Sequence, residues 1–164
     1  MPTEEVFTAP DNRHIDGHVA ATMPLSYQGN VIENIALDFE NGRIVKATAT
    51  KGQDVLEKLL ATDDGTKSLG EVSLVPDPSP IAQGGVLFYN TLFDENASDH
   101  LALGAAYNSN ITGGKTEAPE VLAQRGWNIS DVHVDFMIGS ADMNIDGITQ
   151  DGQTVPVFRN GDWA

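Results

Sequence analysis

The segment Val132-His133-Val134-Asp135-Phe136-Met137-Ile138 constrains the fold of this chain more than any other. Side chains two apart on a strand share a face, so Val132, Val134 and Phe136 point one way and His133 and Asp135 the other. Three apolar residues on one face need a second layer to cover them, so the strand belongs to a sheet with a buried back. The front then carries a histidine and a carboxylate side by side. That pair can hold one divalent ion, and it reads equally well as a His–Asp hydrogen bond on a solvated face.

The rest of the chain supplies partners for such a sheet. Asn41-Gly42 lies between Ile35-Ala36-Leu37-Asp38-Phe39 and Ile44-Val45-Lys46-Ala47, a strong hairpin signal. Short apolar runs over residues 18–24, 29–37 and 155–158 suggest strands. Residues 70–75 predict a further strand, ended by Pro76, Pro78 and Pro80. Val55, Leu56, Leu59 and Leu60 recur at helical spacing, which predicts a helix over about residues 52–62, broken by Asp63-Asp64-Gly65. Residues 98–107 read as a second helix, with Leu101, Ala102, Ala105 and Ala106 for packing. The fold class is therefore α+β: a strand-dominated mixed sheet or barrel-like core with two or three helices, in 164 residues that fit one domain or one domain plus a lobe.

Charge and cysteine content narrow the chemistry. Against 9 basic residues stand 24 acidic ones, a net charge of −15, which repels nucleic acid and anionic membrane surfaces. The excess carboxylates either serve cations or simply keep the protein soluble. Cysteine is absent, so disulfides and thiolate metal sites are excluded. A metal here would sit on Asp, Glu, His, Tyr or water, which favours hard or borderline divalent ions. No stretch approaches the ~20 apolar residues of a membrane span, and no signal segment opens the chain. The expectation is a cytoplasmic protein without nucleic-acid or membrane partners.

Further candidate groups are scattered. In Phe93-Asp94-Glu95-Asn96-Ala97-Ser98-Asp99-His100, the residues Asp94, Asn96, Ser98 and Asp99 could cap the helix that follows, with Glu95 in the entering turn. His100 and Tyr107, seven apart, would share a face of that helix. Glu71 opens an apolar strand, where a charge either protects an edge or, if buried, needs a partner. Glu5 raises the same question beside Val6 and Phe7. Together these residues form the inventory of a two-metal hydrolase site, although spacing cannot show that they converge. His14 and His18 read as surface histidines, Asp142, Asn144 and Asp146 as a turn, and Trp127 and Trp163 as packing or interface residues.

Several of these segments resemble one family of enzymes. They are Pro2-Thr3-Glu4-Glu5-Val6-Phe7-Thr8, Gly70-Glu71-Val72, Leu87-Phe88-Tyr89-Asn90-Thr91-Leu92-Phe93-Asp94-Glu95-Asn96-Ala97-Ser98, His100-Leu101-Ala102-Leu103-Gly104, His133-Val134-Asp135-Phe136-Met137-Ile138-Gly139-Ser140 and the ending Val155 to Ala164. The chain is similar over nearly its whole length to the thermophilic aminopeptidases, family M29 of the metallopeptidases. The resemblance implies a cytosolic, homodimeric exopeptidase acting on peptides with two divalent ions, whether zinc, cobalt, manganese or magnesium. It implies metal ligands at Glu5, Glu71, Glu95, His100, His133 and Asp135, none of them substituted, and a catalytic Tyr107. Family members carry a further N-terminal domain, so residues 1–164 are expected to be the C-terminal metal-binding catalytic domain without it. A carboxylate bridges the ions in such sites, and Glu71 and Asp135 are the candidates. Glu4 is the candidate general base by analogy with unrelated two-metal aminopeptidases, and Tyr107 is placed to stabilise an oxyanion. The competing expectations are a non-enzymatic acidic β-rich binding or dimerisation domain, or an inactive fragment of the enzyme.

Overall fold

The computed structural model describes residues 3–164, and the Pro2 that opens the first motif lies outside them. In chain order the strands are β1 (Val6–Thr8), β2 (Gly17–Ala20), β3 (Leu25–Tyr27), β4 (Asn30–Ile32), β5 (Ala36–Glu40), β6 (Arg43–Thr48), β7 (Leu69–Leu74), β8 (His100–Gly104), β9 (His133–Met137), β10 (Ile145–Ile148), β11 (Thr154–Arg159) and β12 (Asp162–Trp163). The helices are α1 (Gln53–Leu60), α2 (Pro80–Gln83), α3 (Thr91–Asp94) and α4 (Pro119–Gln124). This is an α+β fold, as expected.

The strands form separate antiparallel sheets of order β1-β7-β8-β9, β2-β5-β6 and β10-β11-β12, plus the hairpin β3-β4. Among the described residues no sheet closes into a barrel and no strand pairs are parallel, so the barrel-like or mixed core of the sequence reading gives way to stacked antiparallel layers. One apolar cluster joins the layers. Leu25, Ile32, Leu37 and Phe39 meet Leu56 and Leu59 from α1, and Leu69, Leu103, Val134 and Phe136 from the back of the four-stranded sheet. Fully burying such side chains contributes roughly 1.5–3 kcal/mol each, which is ample to hold that sheet's back against the second layer.

Local rules explain the elements that the sequence announced. Asn41 and Gly42 both have positive φ (48° and 80°), as a tight β5–β6 hairpin needs for its twist to match the strands. The α1 helix buries Leu56 and Leu59 and leaves Asp54 and Lys58 paired in solvent. Pro80 stands in the first turn of α2, behind a Ser79 cap. The helix count of two or three becomes four because α2, α3 and α4 span only 4, 4 and 6 residues, too short for a periodic apolar signal. Among the described residues no helix is long and apolar enough to cross a membrane.

One expectation fails. Residues 98–107 are not helical: His100–Gly104 form β8, paired on both sides with β7 and β9. An inner strand covered on both faces carries apolar residues without alternation, and Leu and Ala are strong helix formers, so a short run of this kind mimics a helix. Asp94, Asn96, Ser98 and Asp99 accordingly cap no following helix. Asp94 accepts hydrogen bonds from the Phe88 and Asn90 amides instead, and Asp99 from that of Val75.

Candidate metal centre

The front of the four-stranded sheet collects the chemistry. Residues opposite one another in an antiparallel ladder share a face. Glu71 pairs with Ala102, which pairs with Asp135; Ser73 pairs with His100; and Gly104 pairs with His133. Phe7 pairs with Ser73, so Glu5, two residues earlier, comes to the same face. Five expected ligands from four strands thus meet on one surface.

A β-bulge makes this possible on β7. Leu69 pairs with Leu103, and the next pair is Glu71 with Ala102, so Gly70 is an extra residue in the ladder. Without it Leu69 and Glu71, two apart, would share a face. With it Leu69 enters the core while Glu71 faces the front. A Cβ on Gly70 would stand 2.2 Å from the Ala105 carbonyl oxygen and 2.4 Å from that of Gly104, which leaves glycine as the residue that fits.

Both histidines are oriented by the backbone. Carbonyl oxygens only accept, so His100 Nδ1 donates to Ser98 O at 2.9 Å and His133 Nδ1 to Ala105 O at 2.6 Å. Each ring then offers Nε2 to the carboxylates. His100 Nε2 lies 3.3 Å from Glu5 Oε1 and 3.4 Å from Glu71 Oε1. His133 Nε2 lies 3.7 Å from Glu71 Oε2 and 3.2 Å from Asp135 Oδ1. Two donor groups result, Glu5–Glu71–His100 and Glu71–His133–Asp135, the donor atoms within each lying inside 4.8 Å of one another. Glu71 belongs to both, one oxygen toward each histidine.

The residues fit a pair of cations on their own physics. Buried His100 Nε2 and Asp135 Oδ1 find no hydrogen-bond partner, and orphaned polar atoms of this kind are costly. Glu5, Glu71, Glu95 and Asp135 crowd together with two histidines, and no lysine or arginine lines the cavity in front of them. Without cations, such a cluster holds protons instead. Burial disfavours a charged His100, but Glu5, Glu71 and the Ser98 carbonyl outweigh it and push its pKa up to about 10. His133, likewise opposed by burial, is raised to about 9 by Asp135 and the Ala105 carbonyl. Burial and then the Asp135 charge raise Glu95 to about 7, while Asp135 is held below the usual carboxylate range because its histidine and Glu95 contacts outweigh burial. The adjacent His100 ring lowers Glu5.

A cavity of about 530 Å³ opens onto this face, lined by Glu5, Glu71, Glu95, Tyr107, His133 and Asp135 together with Phe7, Tyr27, Thr91, Leu92 and Val134. Six expected residues are in its wall, and His100 lies behind it, 1% exposed. Glu95, from the turn after α3, lies close enough to Asp135 to be raised by its charge and stands outside the two donor groups. Tyr107 does not reach the site along a helix face. It follows β8, and its ring sits against His133, centroids 4.8 Å apart, and against Phe7 at 6.3 Å. Glu4, at a bend before β1, is exposed and outside the cavity wall.

The residues set aside in the sequence are set aside here too. His14 pairs with Asp11 and His18 with Asp38, both exposed, and Asp146 pairs with Arg159. Trp163 packs edge-on against Phe158. The sequence reading missed Ser73, the carbonyls of Ser98 and Ala105, and the cavity residues Tyr27, Thr91 and Leu92. Period two from Glu71 would have put Ser73 on the front face; the others carry no sequence signal.

A carboxylate–histidine centre on an antiparallel sheet, with no thiolate, defines a metalloprotein domain for hard or borderline divalent cations. More narrowly, the chain belongs to the thermophilic metalloprotease family (M29), which it matches over residues 1–163. It is 63% identical over its whole length to aminopeptidase AmpS of Bacillus subtilis, and 58% identical to aminopeptidase PepS of Streptococcus thermophilus. It spans 40% of the length of each of these relatives. The solved structure of wild-type AmpT from Thermus thermophilus superposes with a TM-score of 0.92 at 49% identity, over 98% of this chain and 39% of that one.

Proposed function

We propose that this chain is the C-terminal metal-binding part of a cytoplasmic, homodimeric aminopeptidase that removes the first residue of peptides with a pair of divalent cations. The observation that carries the reading is the Glu71 carboxylate, shared between two donor groups that each end on a backbone-oriented histidine. Glu5, Glu71 and His100 would hold one cation, and Glu71, His133 and Asp135 the other, with Glu95 beside Asp135. Zinc, cobalt, manganese and magnesium all suit such mixed ligands to some degree. Bound there, the cations supply Lewis-acid polarisation of a peptide carbonyl and a water acidic enough to ionise near neutral pH.

The remaining work falls to the chain's own groups. A peptide N-terminus is cationic, and the carboxylates of the cavity face it with no lysine or arginine among the described residues of the wall. Phe7, Tyr27 and Leu92 offer apolar surface to the first side chain. The Tyr107 hydroxyl would donate to an oxyanion at the open side of the site, a role supported by its place in the cavity wall. Glu4 serves as base only if it turns inward when substrate binds.

The test is hydrolysis of aminoacyl-nitroanilides by the full-length protein, with and without chelator. Activity on substrates with a free amine, none on N-acetylated ones, and recovery on adding zinc or cobalt are expected. A protein that binds no cation would instead be an acidic binding or dimerisation domain, or an inactive fragment.

A further inference from the structure

We propose that Ser73 is a positioning residue that tunes one cation pocket, Glu5–Glu71–His100, without touching the other; this rests on the two-cation reading above. Ser73 lies on β7 two residues beyond Glu71, on the same face, opposite His100 on one side and Phe7 on the other. It is 1% exposed, and its hydroxyl donates to Glu5 Oε1 at 2.7 Å. A carboxylate is acceptor-only, so the hydroxyl proton must point at Glu5.

Glu5 needs that anchor more than its partners do. Glu71 and His100 sit on β7 and β8, the inner strands of the sheet, each paired on both sides. Glu5 stands before β1, an edge strand of 3 residues, and its amide leans on the Thr3 hydroxyl at 3.3 Å. A long side chain from such a position loses much rotamer freedom on being fixed, and Ser73 fixes it in advance. Ser73 makes no hydrogen bond to Glu71, His133 or Asp135. Its loss therefore acts on the two cations unequally. Groups that orient a metal ligand typically change affinity ten- to a hundredfold, and that loss is expected at one cation only.

The experiment measures zinc affinity of the full-length protein by competition with a chromophoric chelator, and records the visible spectrum of the cobalt form. It compares wild type with Ser73→Ala and Ser73→Thr. Wild type should bind two cations. Ser73→Ala should keep one at unchanged affinity, bind the second about ten- to a hundredfold more weakly, and change only one of the two cobalt signatures. Ser73→Thr, which retains the hydroxyl, should recover most of the loss. Equal weakening of both cations, unchanged affinity for both, or no recovery in Ser73→Thr would overturn the assignment and leave the two-cation reading intact. A wild type that binds fewer than two cations would bring down both.

Discussion

A histidine whose Nδ1–H is committed to a backbone carbonyl offers only Nε2, and in this chain both such nitrogens face carboxylates. At the residue scale this predicts unequal losses. Glu71→Gln should remove both cations, since its two oxygens serve both groups, whereas His133→Ala or Asp135→Asn should remove one; metal analysis after dialysis separates the cases. The protons that the site holds after chelator treatment give a pH signature. Folding raises His100 from 6.5 to about 10 and His133 from 6.5 to about 9. Folding also raises Glu95 from 4.5 to about 7. A group whose pKa is raised by folding stabilises the protein below its unfolded pKa, and loses that contribution as pH climbs through the folded value. Glu95 therefore loses its contribution between about pH 4.5 and 7, and the melting temperature of the chelator-treated protein should go on falling between about pH 6.5 and 10 as the histidines lose theirs. Cations need neutral histidines, so the gap in melting temperature between zinc-loaded and metal-free protein should widen over the same range. A gap that narrows with rising pH would count against histidine ligation.

At the scale of the element, the β7 bulge decides whether Glu71 sees the cavity or the core. Gly70→Ala places a methyl group against the carbonyls of Gly104 and Ala105. It should cost about 1–3 kcal/mol in urea unfolding, in the range for overpacking. It should also weaken the binding of both cations, because Glu71 belongs to both groups. The element that misled the sequence reading, β8, teaches the complementary lesson. Its apolar residues lack period two because neither of its faces meets water, and a five-residue run cannot distinguish that from a helix. By contrast β9, whose front residues His133 and Asp135 are polar, was legible at once.

For the whole molecule, the stacking of the layers sets the flatness and rigidity of the sheet that carries the site. Phe136 is 1% exposed in the joint between the four-stranded sheet and the β2-β5-β6 layer. Phe136→Ala should cost about 3–5 kcal/mol in denaturant unfolding. Because Phe136 follows Asp135 directly and lies on the back of β9, cation affinity should fall with it, whereas truncating exposed Ile148 on the β10-β11-β12 sheet should change neither. Retained affinity in a destabilised Phe136→Ala would show that the front of the sheet holds its shape without the layer behind it.

What the sequence determined by itself was the candidate donors, the faces of β9, the Asn41-Gly42 hairpin and the helix α1, because motifs, periodicity and turn chemistry are local properties. It also determined the family, through motifs dense enough to be specific. Only the tertiary structure decided that Glu5, Glu71, His100, His133 and Asp135 converge, since convergence depends on the register of three strand pairs and on one bulge. It likewise decided that Tyr107 reaches the site from the segment after β8 rather than along a helix, and that Glu4 stands outside the cavity beside an inward Glu5. Those outcomes turn on non-local pairing energies, and no window of neighbouring residues contains them.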